Sequence, residues 1–166
     1  MRNTLLLTMI TMGTMACAAE PSGPPAPITG LPRALTVAEG EVVQRSNRFA
    51  FDLMRRSAAA RDSNVFISPL SVSMALGMTL NGAANATLDS MRAALGFEGM
   101  PLADINAGYR GLIDLLLGID RTTEMRIANA VWYRTGLSAD ADFRDALLAS
   151  FDARVQALDF GLPTAP

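Results

Sequence analysis

Between Ala38 and Ala60, Val42, Phe49, Ala50 and Leu53 fall on one side at helical spacing, with Arg45, Asp52 and Arg56 opposite. That pattern predicts an amphipathic surface helix. Arg61-Asp62-Ser63-Asn64 supplies a turn, and Val65-Phe66-Ile67 is a short β-prone run. Ser68 then offers a capping oxygen and Pro69 the ring best suited to a first helical position, so a second helix is expected from Leu70 to Asn81. This segment is uncharged, and Leu70, Val72, Met74, Leu76, Met78 and Leu80 point all around its axis. A helix of that kind requires burial on every side.

Gly82 stops the second helix, and Thr87 is expected to cap a third, whose Leu88, Met91 and Leu95 share a face before Gly96 ends it. A fourth, Asp104 to Leu117, repeats the pattern with Ile105, Tyr109, Leu112, Ile113 and Leu116. From Glu124 to Arg134 the period becomes two, because Met125, Ile127, Asn129, Val131 and Tyr133 alternate with Arg126, Ala128, Ala130, Trp132 and Arg134. That is a strand pattern. Thr135-Gly136 turns the chain, a fifth helix carries Phe143, Leu147 and Phe151, and a second strand follows from Ala153 to Phe160. Helices in a run, then strand, helix, strand, signal an α+β fold.

Two strands alone make a poor sheet, and an apolar central helix asks for more cover than residues 36–160 provide. The expectation is an incomplete domain over 36–160, with 161–166 as a truncated connection to further material. No internal repeat of fixed period is present.

Composition changes the picture most at the amino end. Residues 1–18 combine Arg2, an uncharged and mostly apolar run from Thr4 to Ala16, and small residues around Cys17, which reads as an export signal. Two processing sites compete: cleavage before Cys17 with lipidation of its thiol, or cleavage after Ala18. Ala16 and the polar tail beyond favour the lipid anchor, whereas Thr14 stands where the lipoprotein motif prefers Leu or Val. Residues 19–35 form a tether. Five prolines and two glycines between Glu20 and Pro32 oppose continuous helix or sheet.

The whole chain has 166 residues with 14 basic and 16 acidic side chains, a net charge of −2. That balance excludes a nucleic-acid binder working by bulk charge. All the cations are arginine, and there is no lysine or histidine. Absent are therefore the imidazole base of a Ser-His-Asp or Cys-His pair, histidine zinc ligands, Schiff-base lysine and the phosphate-loop lysine. The expectation is that the chain is not an enzyme and holds no cofactor.

Weaker motifs do not alter this. Asp140-Ala-Asp142-Phe-Arg144-Asp145 superficially suggests a calcium loop, but arginine takes the third ligand position and the required glycine and distal glutamate are missing. Acids opening a helix account for it better. Asn85-Ala-Thr87 has the form of a glycosylation sequon, yet the export signal is of bacterial form and modification is not expected. Met74 and Met78 read as core filling.

Asn64-Val-Phe-Ile-Ser68-Pro69-Leu-Ser71, followed by Met74-Ala75-Leu76 and Leu80-Asn-Gly82-Ala83, resembles the amino-terminal signature of the serpins. The likeness stays in register: Thr87 and Leu95-Gly-Phe97 fit the third helix of that family, and Ile127-Ala-Asn129-Ala-Val-Trp132 its first long central-sheet strand. Phe143, Phe151, Val155 and Leu158-Asp-Phe160 resemble the segment after it. Trp132 stands for the usual Phe and Phe151 for the usual Tyr.

The resemblance implies a serpin-like α+β fold, with the amino-terminal helices and first strands of the central sheet. It also implies suicide inhibition of serine, or cysteine, proteases, in which a cleaved reactive loop inserts into the central sheet. That loop lies near the far carboxyl end of a serpin domain more than twice this long, so it is missing here. Ser68 and Ser71, and Asn129 on the strand, match the polar network where the sheet opens. Without the resemblance, Ser68 is a plain helix cap and Ser71 a small residue at a tight contact. The helix 104–117 has one basic residue, Arg110, too little to bind polyanions as some serpins do. Three functions follow: an exported or lipid-anchored serine protease inhibitor, a non-inhibitory member of the same fold, or an unrelated small envelope lipoprotein.

Overall fold

A computed structural model describes residues 28–162 other than 61 and 121. Cys17, the export signal and most of the tether lie outside the described residues, as do the last four. The elements run α1 (Val37–Ala59), α2 (Pro69–Leu80), α3 (Asn85–Leu95), α4 (Leu102–Leu117), β1 (Asn129–Arg134), α5 (Ala141–Phe151) and β2 (Ala153–Leu158).

Helix starts follow local chemistry. Thr36 and Glu39 form a reciprocal capping box at α1, Ser68 caps α2 with Pro69 at its first position, and the Asp140 side chain accepts from the Asp142 and Phe143 amides at α5. Gly96 closes α3 in the left-handed region at φ 74°.

Several expectations need correction. Thr87 does not cap α3, because the helix begins two residues earlier at Asn85, with Ala84 before it and no side-chain cap. Val65-Phe66-Ile67 forms no strand, for no partner strand lies beside it among the described residues, and Phe66 is fully exposed. The long strand is shortened to Asn129–Arg134, since β2 pairs only over Asn129↔Ala153 to Arg134↔Leu158. The second strand likewise ends at Leu158 and not at Phe160. The two strands are parallel, joined by α5 as a single crossover unit.

Tyr109 sits at the centre of the core. Its ring meets Phe97 edge-on with centroids 6.0 Å apart and Phe151 tilted at 5.0 Å. Gly77 makes room for it, because a Cβ there would stand 2.7 Å from the Tyr109 ring. Met74, Met78 and Leu80 of α2, Ile105 and Ile113 of α4, and Leu147 of α5 complete the buried cluster. Val131 and Val155 lay the inner face of the sheet against it. Truncating a fully buried ring such as Phe151 to alanine costs about 3–5 kcal/mol.

Burial of α2 is one-sided. Ser73, Met74, Gly77, Met78 and Leu80 are buried, whereas Ser71, Val72, Ala75 and Thr79 face outward. The outer sheet face is open too, with Trp132 under the Arg154 guanidinium at 5.4 Å.

Arg33, inside the segment read as tether, is bound to the folded body. Its guanidinium grips both carboxylate oxygens of Glu39 at 2.7 Å and donates to the Gly111 carbonyl of α4 at 3.2 Å. A Cβ at Gly111 would overlap the Glu39 carboxylate, and one at Gly108 would overlap Val42, so these two glycines let α4 lie directly on α1.

Candidate functional site

The three residues singled out for the sheet-opening network converge on one place. Ser68 and Ser71 at the start of α2, and Asn129 at the start of β1, line a cavity of about 380 Å³, with Met74, Met78 and Ile127 as apolar walls. The local fold explains this. Proline at the first position of α2 fixes where the helix begins, and Ser68 in extended conformation turns its side chain back over the first turn.

Ser68 Oγ accepts from the Ser71 amide at 3.4 Å and stands 2.8 Å from Ser71 Oγ. Asn129 turns away from this pair: its Nδ2 donates to the Phe151 carbonyl at 2.8 Å. That carbonyl ends α5, where helices leave acceptors without partners, so Asn129 ties the strand to the crossover helix. Among the described residues no hydrogen bond joins the serine pair to Asn129. The serine pair and Asn129 are thus two separate hydrogen-bonded groups lining one cavity.

Nothing at the cavity activates a hydroxyl. Its titratable wall residue is Arg126, engaged with Glu124 at 2.7 Å. The shifted groups lie elsewhere. Glu39 is held at about 2 by the Arg33 guanidinium first and the Thr36 amide second. Burial pushes the Tyr109 phenol up to about 12. Arg110 holds Asp114 below the usual carboxylate range. Among the described residues no cluster of three or more His, Cys, Asp or Glu could hold a metal. No helix among them is long and apolar enough to cross a membrane.

Two polar features escaped the reading of the pattern. Tyr109, taken as an apolar helix position, carries a buried hydroxyl chain: its OH stands 2.6 Å from Ser73 Oγ and donates to the Ser73 carbonyl at 3.0 Å, with Ser46 Oγ 3.4 Å beyond. Asn81 and Asn106 exchange amide hydrogen bonds at 3.0 and 2.7 Å, joining the end of α2 to α4. The signal for the first was the Ser73–Gly77 spacing on the face of α2 that receives Tyr109.

An uncharged helix that shares a cavity with the start of a parallel strand pair, entered through Asn-Val-Phe-Ile-Ser-Pro, points to the class. The family model described as Serpin (serine protease inhibitor) matches residues 44–165, and the chain belongs to the serpin family. It is 32% identical over 130 residues to Iripin-2 of Ixodes ricinus, covering 76% of this chain and 33% of that protein. It is 36% identical over 115 residues to corticosteroid-binding globulin of Oryctolagus cuniculus, covering 68% and 30%. The fold superposes on the crystal structure of human thyroxine-binding globulin complexed with its ligand with a TM-score of 0.69 at 28% identity, over 77% of this chain and 35% of that one. The chain spans about a third of the length of these relatives.

Proposed function

We propose that this chain supplies the amino-terminal part, residues 36–160, of an exported serine endopeptidase inhibitor of the serpin type, an inhibitor and not an enzyme. Family membership supports the reading, and the observation that carries it is the convergence of Ser68, Ser71 and Asn129 on one cavity between α2 and β1. Serine hydroxyls and a carboxamide are short donors and acceptors that can exchange partners as a strand shifts over a helix, at little cost if each stays bonded. In serpins the loop that a protease cleaves lies towards the carboxyl end, and this chain spans about a third of the length of its relatives.

The test uses the chain produced together with the coding sequence downstream of Pro166, incubated with trypsin-like, chymotrypsin-like and elastase-like proteases. A complex stable on a denaturing gel is the expected result, and Ser68→Ala with Ser71→Ala shifts the balance from complex towards simple loop cleavage. Downstream sequence without serpin likeness overturns the reading.

A second reading, a non-inhibitory binding protein of the same fold, draws on the relatives named for thyroxine and corticosteroid binding. Loop cleavage without any covalent complex favours it. For placement, we infer export through residues 1–18 and a lipid anchor at Cys17, followed by the 19–35 tether. Mass spectrometry of the mature amino terminus finds diacylated Cys17 if this holds, and a chain beginning at Ala19 refutes the anchor.

A further inference from the structure

Asn81-Gly82 is the one place in the sequence where asparagine precedes glycine, the dipeptide whose small second residue leaves its amide nitrogen open to attack the carboxamide beside it. It lies at the end of α2, on the joint with α4. Asn81 holds helical angles, φ −67° and ψ −20°. Its Nδ2 donates to the Gly77 carbonyl at 3.0 Å and to Asn106 Oδ1 at 3.0 Å, while its Oδ1 accepts from Asn106 Nδ2 at 2.7 Å. The Gly82 amide, the would-be nucleophile, donates to the Thr79 carbonyl at 3.0 Å. From α5 the Phe143 ring covers Gly82 closely enough that a Cβ there would meet Cε2 at 3.2 Å.

We propose that Asn81 is a latent deamidation site, silent while α2 is docked on α4 and α5 and converted irreversibly to aspartate or isoaspartate once that joint opens. Ring closure needs rotation about ψ away from its helical value, release of the Gly82 N–H from Thr79 and release of the carboxamide from Asn106. All three are held by the same packing. When they are free, the Gly82 nitrogen gives up its proton to solvent base and bonds to Asn81 Cγ. The Cγ–Nδ2 bond breaks, and ammonia leaves with a proton from water. Water then opens the succinimide at either carbonyl.

The product cannot restore the joint. A carboxylate has no hydrogen to donate to the Gly77 carbonyl or to Asn106. It would also share a cavity of about 530 Å³ with the carboxylates of Asp140 and Asp142. Isoaspartate adds a backbone methylene besides. The modification therefore records, one way, how long the α2 end has spent undocked.

The test follows deamidation of the full chain by peptide mapping in mildly alkaline buffer, with and without urea. Conversion at Asn81 should be at least about tenfold slower without urea, which corresponds to about 1.4 kcal/mol of local protection. Asn106→Ala should bring the native rate several-fold towards the urea rate, and adding Gly82→Ala should abolish rapid conversion in both conditions. Equal rates with and without urea overturn the proposal, as does an Asn106→Ala chain with parental near-UV circular dichroism and an unchanged rate. Because Asn106→Ala can lose the fold, hydrogen exchange at the Gly82 amide of the parent provides a second reading: protection supports the proposal, and free exchange overturns it.

Discussion

The hydroxyl chain through the core permits a quantitative test of what holds α2 to α4. Tyr109 is fully buried, and its OH meets both the side chain and the carbonyl of Ser73, itself 1% exposed. Tyr109→Phe leaves Ser73 Oγ with only the distant Ser46 hydroxyl, at 3.4 Å. A buried group stripped of its partner costs about 1–3 kcal/mol, so a loss of about 2 kcal/mol is expected. Ser73→Ala removes the 2.6 Å bond but leaves the phenol its carbonyl acceptor, and a loss of about 1 kcal/mol follows. The double variant removes both hydroxyls, leaves no orphan Oγ, and should be less destabilised than the sum by about 1 kcal/mol. Urea titrations followed by circular dichroism at constant slope give the three differences. Strict additivity would show that the 2.6 Å contact contributes nothing of its own.

Gly111→Ala should destabilise the chain by about 1–3 kcal/mol, because its Cβ would overlap the Glu39 carboxylate, whereas Gly118→Ala, facing nothing closer than the Asp114 carbonyl at 3.7 Å, should stay within about 0.5 kcal/mol on the same titration. Glu39 titrates at about 2 in the folded chain against an ordinary 4.5. A depressed carboxylate adds stability that is full above 4.5 and lost as pH falls towards 2, so stability measured across that window should drop in the parent and stay flatter in Glu39→Gln, which starts lower at neutral pH. A parent and a variant with parallel pH curves would refute the Arg33–Glu39 assignment.

What was legible in the pattern was whatever local chemistry dictates. The start of α2 follows from Ser68 and Pro69, the end of α3 from Gly96, and the start of α5 from Asp140, because each of these residues acts on the backbone beside it. The failures are non-local. Residues 124–128 alternate as a strand should, yet pairing needs a neighbour, and β2 begins opposite Asn129. Val65-Phe66-Ile67 fails for the same reason. Thr87 had the right side chain for a cap but lies inside the first turn, since Asn85 already takes up the chain at φ 50°. Arg33 looked like linker, and only the fold places Glu39 and the Gly111 carbonyl within its reach.

The candidate site was legible only in part, and the reason lies in α2 itself. Its serines look equivalent in sequence, but the fold separates them. Ser73 faces inward, where a polar group without a partner is costly, and it is locked by Tyr109. Ser68 and Ser71 face a cavity with water-sized room, bonded to each other and to one backbone amide. Ser73 is therefore bound to the packed state, while the Ser68–Ser71 pair can find new partners without leaving a buried group unpaired. Asn129 differs from the pair, because the Phe151 carbonyl it holds belongs to a fully buried residue at the end of α5, and the bond ties β1 to the crossover helix. The start of α2 thus carries polarity free to change partners on one side and a hydroxyl locked into the packed core on the other, within little more than one turn.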